Sequence, residues 1–424
     1  MTTCKQTFCR ALGVVSLLTA VFSVQAQTDF SLSMANAERL ALEQDAITRA
    51  YQANEQALME GAVAEKSLPD PKLKLGLMNF PTDTFRRDQE PMTQVQLGIV
   101  QAFPRGSSRS IKSEQAQAKS RVQAANVKDR NRTVLRSVRE DWLEVYYWVN
   151  AGGVVNKTRA LFDQLVKVTE GQYAVGRRNQ QDYIQAQLEL GMLDDREIKI
   201  RNNEEKARTA LARWIGPAEA QRPILAELPT LSVNAETDAN ALLNSHPLVN
   251  ASKAQVNVSQ HSVDLAKQQY KPRWLLDVTY GFRDGNNPDG SERADFLSAK
   301  VLFDMPLFTN NRQDRRLQAN RLELNAAQFR MQDLQIELRK QLDAVLADKH
   351  SFEKRIALFQ QTLLPRAREN AVAALSAYQV REGDFSALVR ARITELETEL
   401  NELRLQVDRA KVQAKLIYLL GETS

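Results

Sequence analysis

The chain has 424 residues, which at roughly 150 residues per domain would ordinarily mean about three globular domains. Its 16 glycines and 13 prolines are few against average usages of about 7% and 5%, and with 26% charged residues they favour long helices over loop-rich domains. The formal charge of +5, from 57 basic and 52 acidic residues, is too small an excess to argue for a nucleic-acid partner.

Residues 1–26 read as a cleaved export signal: Lys5 and Arg10 are basic, residues 11–24 are apolar, and Val24-Gln25-Ala26 ends in a small-residue cleavage pattern. A membrane anchor is the weaker reading, because that apolar run rises only about 21 Å against a hydrocarbon core of about 30 Å. Cleavage would remove both cysteines, Cys4 and Cys9, leaving no disulfide, no thiolate nucleophile and no cysteine ligand. Neither cysteine lies at the cleavage site, so lipidation there is not expected. No run of 18 apolar residues follows, so any membrane role must fall to strands.

The remainder aligns with itself at an offset of about 200 residues, the signature of an internal duplication. Residues 37–71 match 238–272, with Ala50 meeting Ala251, Ala53 meeting Ala254 and Pro71 meeting Pro272. Further on Pro104 meets Pro306, Tyr173 meets Tyr378, and Gly216 meets Gly421. Two repeats are expected, 27–216 and 238–424, joined by a linker over 217–237 that holds Pro217, Pro223 and Pro229.

Each repeat reads as a helix, two strands, a long helix and a shorter returning helix. The first helices span 37–66 and 239–269. The long ones span 110–172 and 311–379, where about 70 residues would reach about 105 Å, far beyond a compact domain. Leu317, Leu324, Met331, Leu334, Leu338, Leu342 and Val345 mark one apolar face at helical spacing. Bends are expected at Gly152-Gly153 and at Pro365. The returning helices, 180–214 and 384–420, are half as long, so two stacked end to end would match one long helix.

Strands are expected over 72–80, 93–103, 274–283 and 296–304, each with period-two alternation. Leu73, Leu75 and Leu77 alternate with Lys72, Lys74 and Gly76, and Val95, Leu97 and Ile99 with Gln94, Gln96 and Gly98. In the second repeat Trp274, Leu276, Val278, Tyr280 and Phe282 form one apolar face, continued by Leu297, Ala299, Val301 and Phe303. Apolar residues with aromatics near the ends on one face, and Lys, Gln, Asp and Thr on the other, fit transmembrane barrel strands with a polar lumen. Two ordinary hairpins packed on helices would show the same alternation. The count says more: single-chain barrels begin at eight strands, so four from one chain would need partners, and three copies would supply twelve.

Sites for chemistry are missing. The histidines His246, His261 and His350 have no metal-ligand spacing, and no phosphate loop or nucleophile, base and orienter set is evident. Met78, Met92 and Met305 could be weak soft-metal contacts, but packing explains them better. No enzyme activity, cofactor or tightly held metal is expected.

Two further segments carry a resemblance: residues 173–186, Tyr-Ala-Val-Gly-Arg-Arg-Asn-Gln-Gln-Asp-Tyr-Ile-Gln-Ala, and 364–391, which contains Tyr378-Gln-Val-Arg-Glu-Gly-Asp-Phe385. With the duplication and the strands they resemble the TolC family of outer-membrane efflux channels over nearly the whole mature chain. Ser67-Leu-Pro-Asp-Pro71, Asn79-Phe-Pro-Thr-Asp83, Pro91-Met-Thr-Gln94 and Gln101-Ala-Phe-Pro104 resemble its CzcC-type, heavy-metal branch. The resemblance implies a mainly α protomer with a small β part: duplicated long helices forming a trimeric α-barrel, plus four strands in a shared 12-stranded transmembrane β-barrel. It implies a homotrimer in outer-membrane lipid, docked on a periplasmic adaptor and an inner-membrane RND pump, passively conducting heavy-metal cations and binding no nucleic acid.

By the same resemblance Tyr173, Gly176, Arg177, Arg178, Asp182, Tyr378, Glu382, Gly383 and Asp384 would form the periplasmic tip where the adaptor docks. Trp274, Leu276, Val278, Tyr280, Phe282, Leu297, Val301 and Phe303 would face lipid. Better-known members narrow the entrance with two acids near the second tip; the matching positions here are Ala387 and Arg390, leaving only Asp182, Glu382 and Asp384 nearby. Alternatives are a channel for drugs or secreted polypeptides, or a soluble periplasmic coiled-coil adaptor.

Overall fold

The computed structural model describes residues 31–176, 179–225, 227–231, 239–380 and 382–420. The expected signal 1–26, the tip residues Arg177, Arg178 and Arg381, and residues 226 and 232–237 of the expected linker lie outside the described residues.

The chain opens with α1 (Met34–Gln44) and α2 (Ala46–Lys66), so the single helix expected over 37–66 is two. Asp45 makes the break. Its backbone is extended and its carboxylate accepts the Thr48 N–H at 2.8 Å, capping α2, while Arg130 holds both its oxygens at 2.8 and 3.0 Å. These bonds hold the Asp45 carboxyl down at about 2, the Arg130 hydrogen bond being the largest cause.

Strands β1 (Lys72–Met78) and β2 (Gln94–Phe103) follow, then α3 (Ser108–Ala174), whose 67 residues reach about 100 Å. Of the two expected bends, α3 is unbroken helix through Gly152 and Gly153, flanked by buried Ala151 and Val155. The returning helix α4 (Gln180–Ile215) leads through the short α5 (Pro217–Ala220) to the second half.

There α6 (Ala239–Asn244) and α7 (Pro247–Gln268) again replace one expected helix. His246 is extended and fully buried, its Nδ1 accepts the Leu248 N–H at 3.2 Å, and Pro247 takes the first helical position, where a missing N–H costs nothing. Strands β3 (Trp274–Phe282) and β4 (Phe296–Phe303) precede α8 (Gln313–Leu358), a π turn (Phe359–Leu363) and α9 (Leu364–Gln379). The widened π turn accommodates Pro365, which lacks an N–H and would crowd the preceding turn, so the chain stays helical past it. From Gln313 to Gln379 the run is as long as α3, and α10 (Phe385–Leu420) has 36 residues, as α4 does.

Equal lengths let short helices pair with long ones. Helices α2 and α4 lie along successive parts of α3, and α7 and α10 along α8 and α9. At the end of α1, just before α2, Gln44 Nε2 donates to the Ile215 carbonyl at the end of α4 at 3.5 Å; between α7 and α10 the His246 and Tyr418 rings cross at 5.2 Å and 74°. Among the described residues, buried side chains cluster around Trp142 and Leu211, around Phe162, Phe385 and Leu396, and around Leu243, Leu342 and Leu419. The face of α8 expected to be apolar and covered is so, with Leu338 and Leu342 buried.

The four strands form one antiparallel sheet, in the order β1-β2-β3-β4. The central pairing, β2 with β3, joins strands from the two halves of the chain, Leu97 opposite Tyr280 and Phe103 opposite Trp274.

Candidate functional site

The sheet is exposed the wrong way round for a protein in water. Leu75 and Leu297, at 75% and 74% exposure, lie on its open face, with Leu276, Val278, Phe282, Val301 and Phe303 also exposed. Thr279 and Gln94, on the other face, are 4% and 7% exposed. Register makes the open face continuous: Leu77, Val95 and Phe282 share one row, Leu75, Leu97, Tyr280 and Leu297 the next, and Leu73, Ile99, Val278 and Ala299 the next. Aromatics mark both ends. Phe103, Trp274 and Phe303 are register partners in one terminal row, the first two rings 5.7 Å apart, and Tyr280 meets Phe282 edge-on at 4.8 Å toward the other end. From Trp274 to Phe282 the strand rises about 27 Å, close to the apolar band of about 25 Å on a transmembrane barrel.

The polar face is crowded. Lys74 Nζ reaches Asp277 Oδ2 at 3.0 Å and Thr279 Oγ1 at 3.3 Å. It passes over Gly98, where an added Cβ would stand 2.6 Å from Thr279 Oγ1 and 2.9 Å from the Val278 carbonyl. Gly281 likewise leaves room for the Gln94 side chain. Where the sheet meets the helices, Asp304 holds Arg105 at 3.1 Å and Arg273 at 3.4 Å.

Among the described residues both edges of the sheet are open, since β1 and β4 each pair on one side only. The helices next to these edges match them. On α8, Leu322, Phe329 and Ile336 repeat every seven residues at 57 to 69% exposure, a stripe that sequence periodicity did not single out. On α2, Ile47, Met59 and Val63 are also exposed.

At the other end of the molecule the helical turns come together. Ser386, on α10, donates to Gln185 Oε1, on α4, at 3.0 Å. The first turn leaves α3 through Gly176, whose φ of +70° favours glycine and whose N–H donates to the Tyr173 carbonyl at 2.9 Å. In the second, the Glu382 and Gly383 N–H groups both donate to the Ala377 carbonyl at 3.0 Å, and a Cβ on Gly383 would stand 3.0 Å from Ala377. Tyr173, Glu382 and Asp384 are exposed, and Asp182 is half-buried. Tyr378 is buried, its ring 5.4 Å from that of Phe385, so it shapes the turn from inside and is not a contact surface. Between the turns runs a shallow groove lined by Gln181, Ile184, Gln185, Leu188 and Ser386, with Ile184 and Leu188 exposed. Ala387 and Arg390 are exposed on the first turns of α10.

Midway along the helices several carboxylates are half-buried. Glu144 accepts from Arg404 at 3.0 Å and from Lys411; burial would raise its pKa, but these bonds carry it below the usual range. Burial raises Asp129, Glu140 and Asp141, the last accepting from Trp214 Nε1 at 2.8 Å. Among the described residues no group of three or more His, Cys, Asp or Glu could hold a metal ion, and no helix is long and apolar enough to cross a membrane.

No protein-family model matches the chain, and no curated protein matches it. Solved structures do. The outer-membrane channel OprN is 16% identical, with 92% of this chain and 90% of that one covered at a TM-score of 0.77. The outer-membrane protein VceC of Vibrio cholerae is also 16% identical, with 92% and 96% covered at 0.74. CusC, described in terms of folding and transmembrane channel formation, is 13% identical, with 92% of each chain covered at 0.75. At these identities the likeness carries the fold: a mainly helical, TolC-like protomer with a small four-stranded sheet.

Proposed function

We propose that three copies of this chain close a 12-stranded barrel in an outer membrane and continue it as a helical conduit through the periplasm. The observation that carries this reading is the inverted sheet, apolar face open and the centre of the polar face covered, on four strands too few to close by themselves. The likeness to outer-membrane channels supports it, as do the exposed stripes of α2 and α8 beside the two open strand edges. A head-to-tail ring would bury both at once, pairing β1 of one copy with β4 of the next. Residues 1–26 would direct export and be removed.

Such a conduit performs no reaction. It would take cargo from an adaptor and an energised RND-type pump in the inner membrane, docking through the tip: Tyr173, Gly176, Arg177, Arg178, Asp182, Glu382, Gly383 and Asp384, with Tyr378 supporting them from below. The narrower form of the proposal is a heavy-metal cargo, motivated by the sequence resemblance to the CzcC-type branch. Comparing the metal and antibiotic sensitivities of a deletion strain tests that form. A soluble adaptor would have no use for an open apolar sheet face. Membrane fractionation and light scattering of detergent-extracted protein test the general reading, which requires outer-membrane material at three times the protomer mass; a soluble monomer would refute it.

A further inference from the structure

The polar face of the sheet is not neutral. Register sets Lys72, Val100, Asp277 and Lys300 in one row and Lys74, Gly98, Thr279 and Ser298 in the next. The single acid, Asp277, is taken by Lys74 at 3.0 Å. Lys72 and Lys300 remain, both exposed, and the other strand residues around them on this face are uncharged. Just past β3, Arg283 belongs to the turn, its N–H donating to Asp295 at 2.8 Å and its guanidinium 4.2 Å from the Phe296 ring centre. The turns at the far end of the strands hold more acids than bases, but these lie outside the strand rows and are partly matched by arginines, as in Arg86–Asp88 at 2.7 Å and Arg87–Asp284 at 3.4 Å.

We infer that the barrel is an anion-favouring passage, lined by Lys72 and Lys300 of each copy. This rests on the channel reading above. The two lysines sit on opposite edge strands, β1 and β4, so closing the ring brings them onto adjacent strands at every junction between copies. Like charges so placed repel each other, and anions within a Debye length of about 10 Å at 0.1 M salt relieve that repulsion. The expectation of a bare cation as cargo changes accordingly. Anionic solutes, inorganic or organic, are favoured along this route over bare cations.

The test is the reversal potential of the purified, assembled protein in planar bilayers under a potassium chloride gradient. Wild type is expected to favour chloride over potassium, less so at 1 M salt, where the Debye length shrinks to about 3 Å. Replacing both residues, Lys72→Glu with Lys300→Glu, should turn the preference to potassium. Lys72→Gln with Lys300→Gln, which removes charge without adding any, should abolish or weaken it. Potassium preference in wild type, or a reversal potential unmoved by either pair, overturns the inference while the channel stands. No current at all from membrane-inserted wild type overturns the channel, and the inference with it.

Discussion

Lys74 crosses the bare α-carbon of Gly98 to place its ammonium 3.0 Å from the Asp277 carboxylate, tying β1 to β3 over the intervening strand. The bridge needs the gap that glycine leaves. Overpacking of this kind typically costs about 1–3 kcal/mol, and here one of the crowded atoms is a backbone carbonyl. Gly98→Val should therefore sharply lower the yield of assembled, heat-modifiable oligomer in membrane fractions, with Gly98→Ala intermediate.

The two glycines of the tip should behave differently. Gly176 has positive φ but open space around it, so Gly176→Asn, which tolerates that conformation, should retain more function than Gly176→Val. Gly383 is limited by contact with Ala377 instead, so Gly383→Leu should displace the turn whatever its backbone preference. Both Gly176→Val and Gly383→Leu should abolish efflux-dependent resistance while leaving oligomers intact on gels. Loss of the oligomer would make these residues structural and not part of partner coupling.

Burial, aided by the nearby Arg132 charge, lowers the His246 pKa to about 4. The sign follows from its neutral native form. At pH above about 6.5 neither folded nor unfolded chain protonates it; between about 6.5 and 4 only the unfolded chain does, so stability falls as pH falls through that window. Fully realised, the loss is on the order of 3 kcal/mol. The raised acids Asp129, Glu140 and Asp141 act with the opposite sign, so the informative quantity is the difference between wild type and His246→Asn. Asparagine still offers the helix a capping acceptor but does not titrate. Melting curves from pH 7 to pH 4 should show a smaller acid-induced drop in the variant.

Much of the fold was legible because its signals are local. Period-two alternation gave all four strands to within two residues at either end, and the stripe from Leu317 to Val345 gave the covered face of α8. The break at Asp45 was hidden by helix-compatible neighbours, its carboxylate being held by Arg130 and Thr48, whereas Pro247 after His246 marked a helix start in the sequence. Distant pairing was not legible at all. The alternating lysines of β1 and the Asp277 of β3 are plain in the sequence, but only register brings them to one row. At the tip, the family resemblance suggested a surface role for Tyr378, which burial against Phe385 removes.

The stripe of Leu322, Phe329 and Ile336 on α8 should be an interface between copies. Phe329→Glu with Ile336→Glu is expected to leave helical content unchanged by circular dichroism but to shift detergent-extracted protein toward single protomers in light scattering. An unaltered oligomer would assign the stripe elsewhere.

A membrane-spanning barrel requires the open apolar face to meet lipid, and cysteine labelling in intact membranes tests this most directly. Both native cysteines lie within the expected signal, so a single introduced thiol would be read without background. A thiol from Val278→Cys is predicted to resist a water-soluble maleimide until the membrane is dissolved and the protein unfolded, whereas one from Ser298→Cys, on the polar face, reacts in the intact channel. Rapid labelling of the Val278→Cys protein in assembled, membrane-bound oligomers would contradict the account.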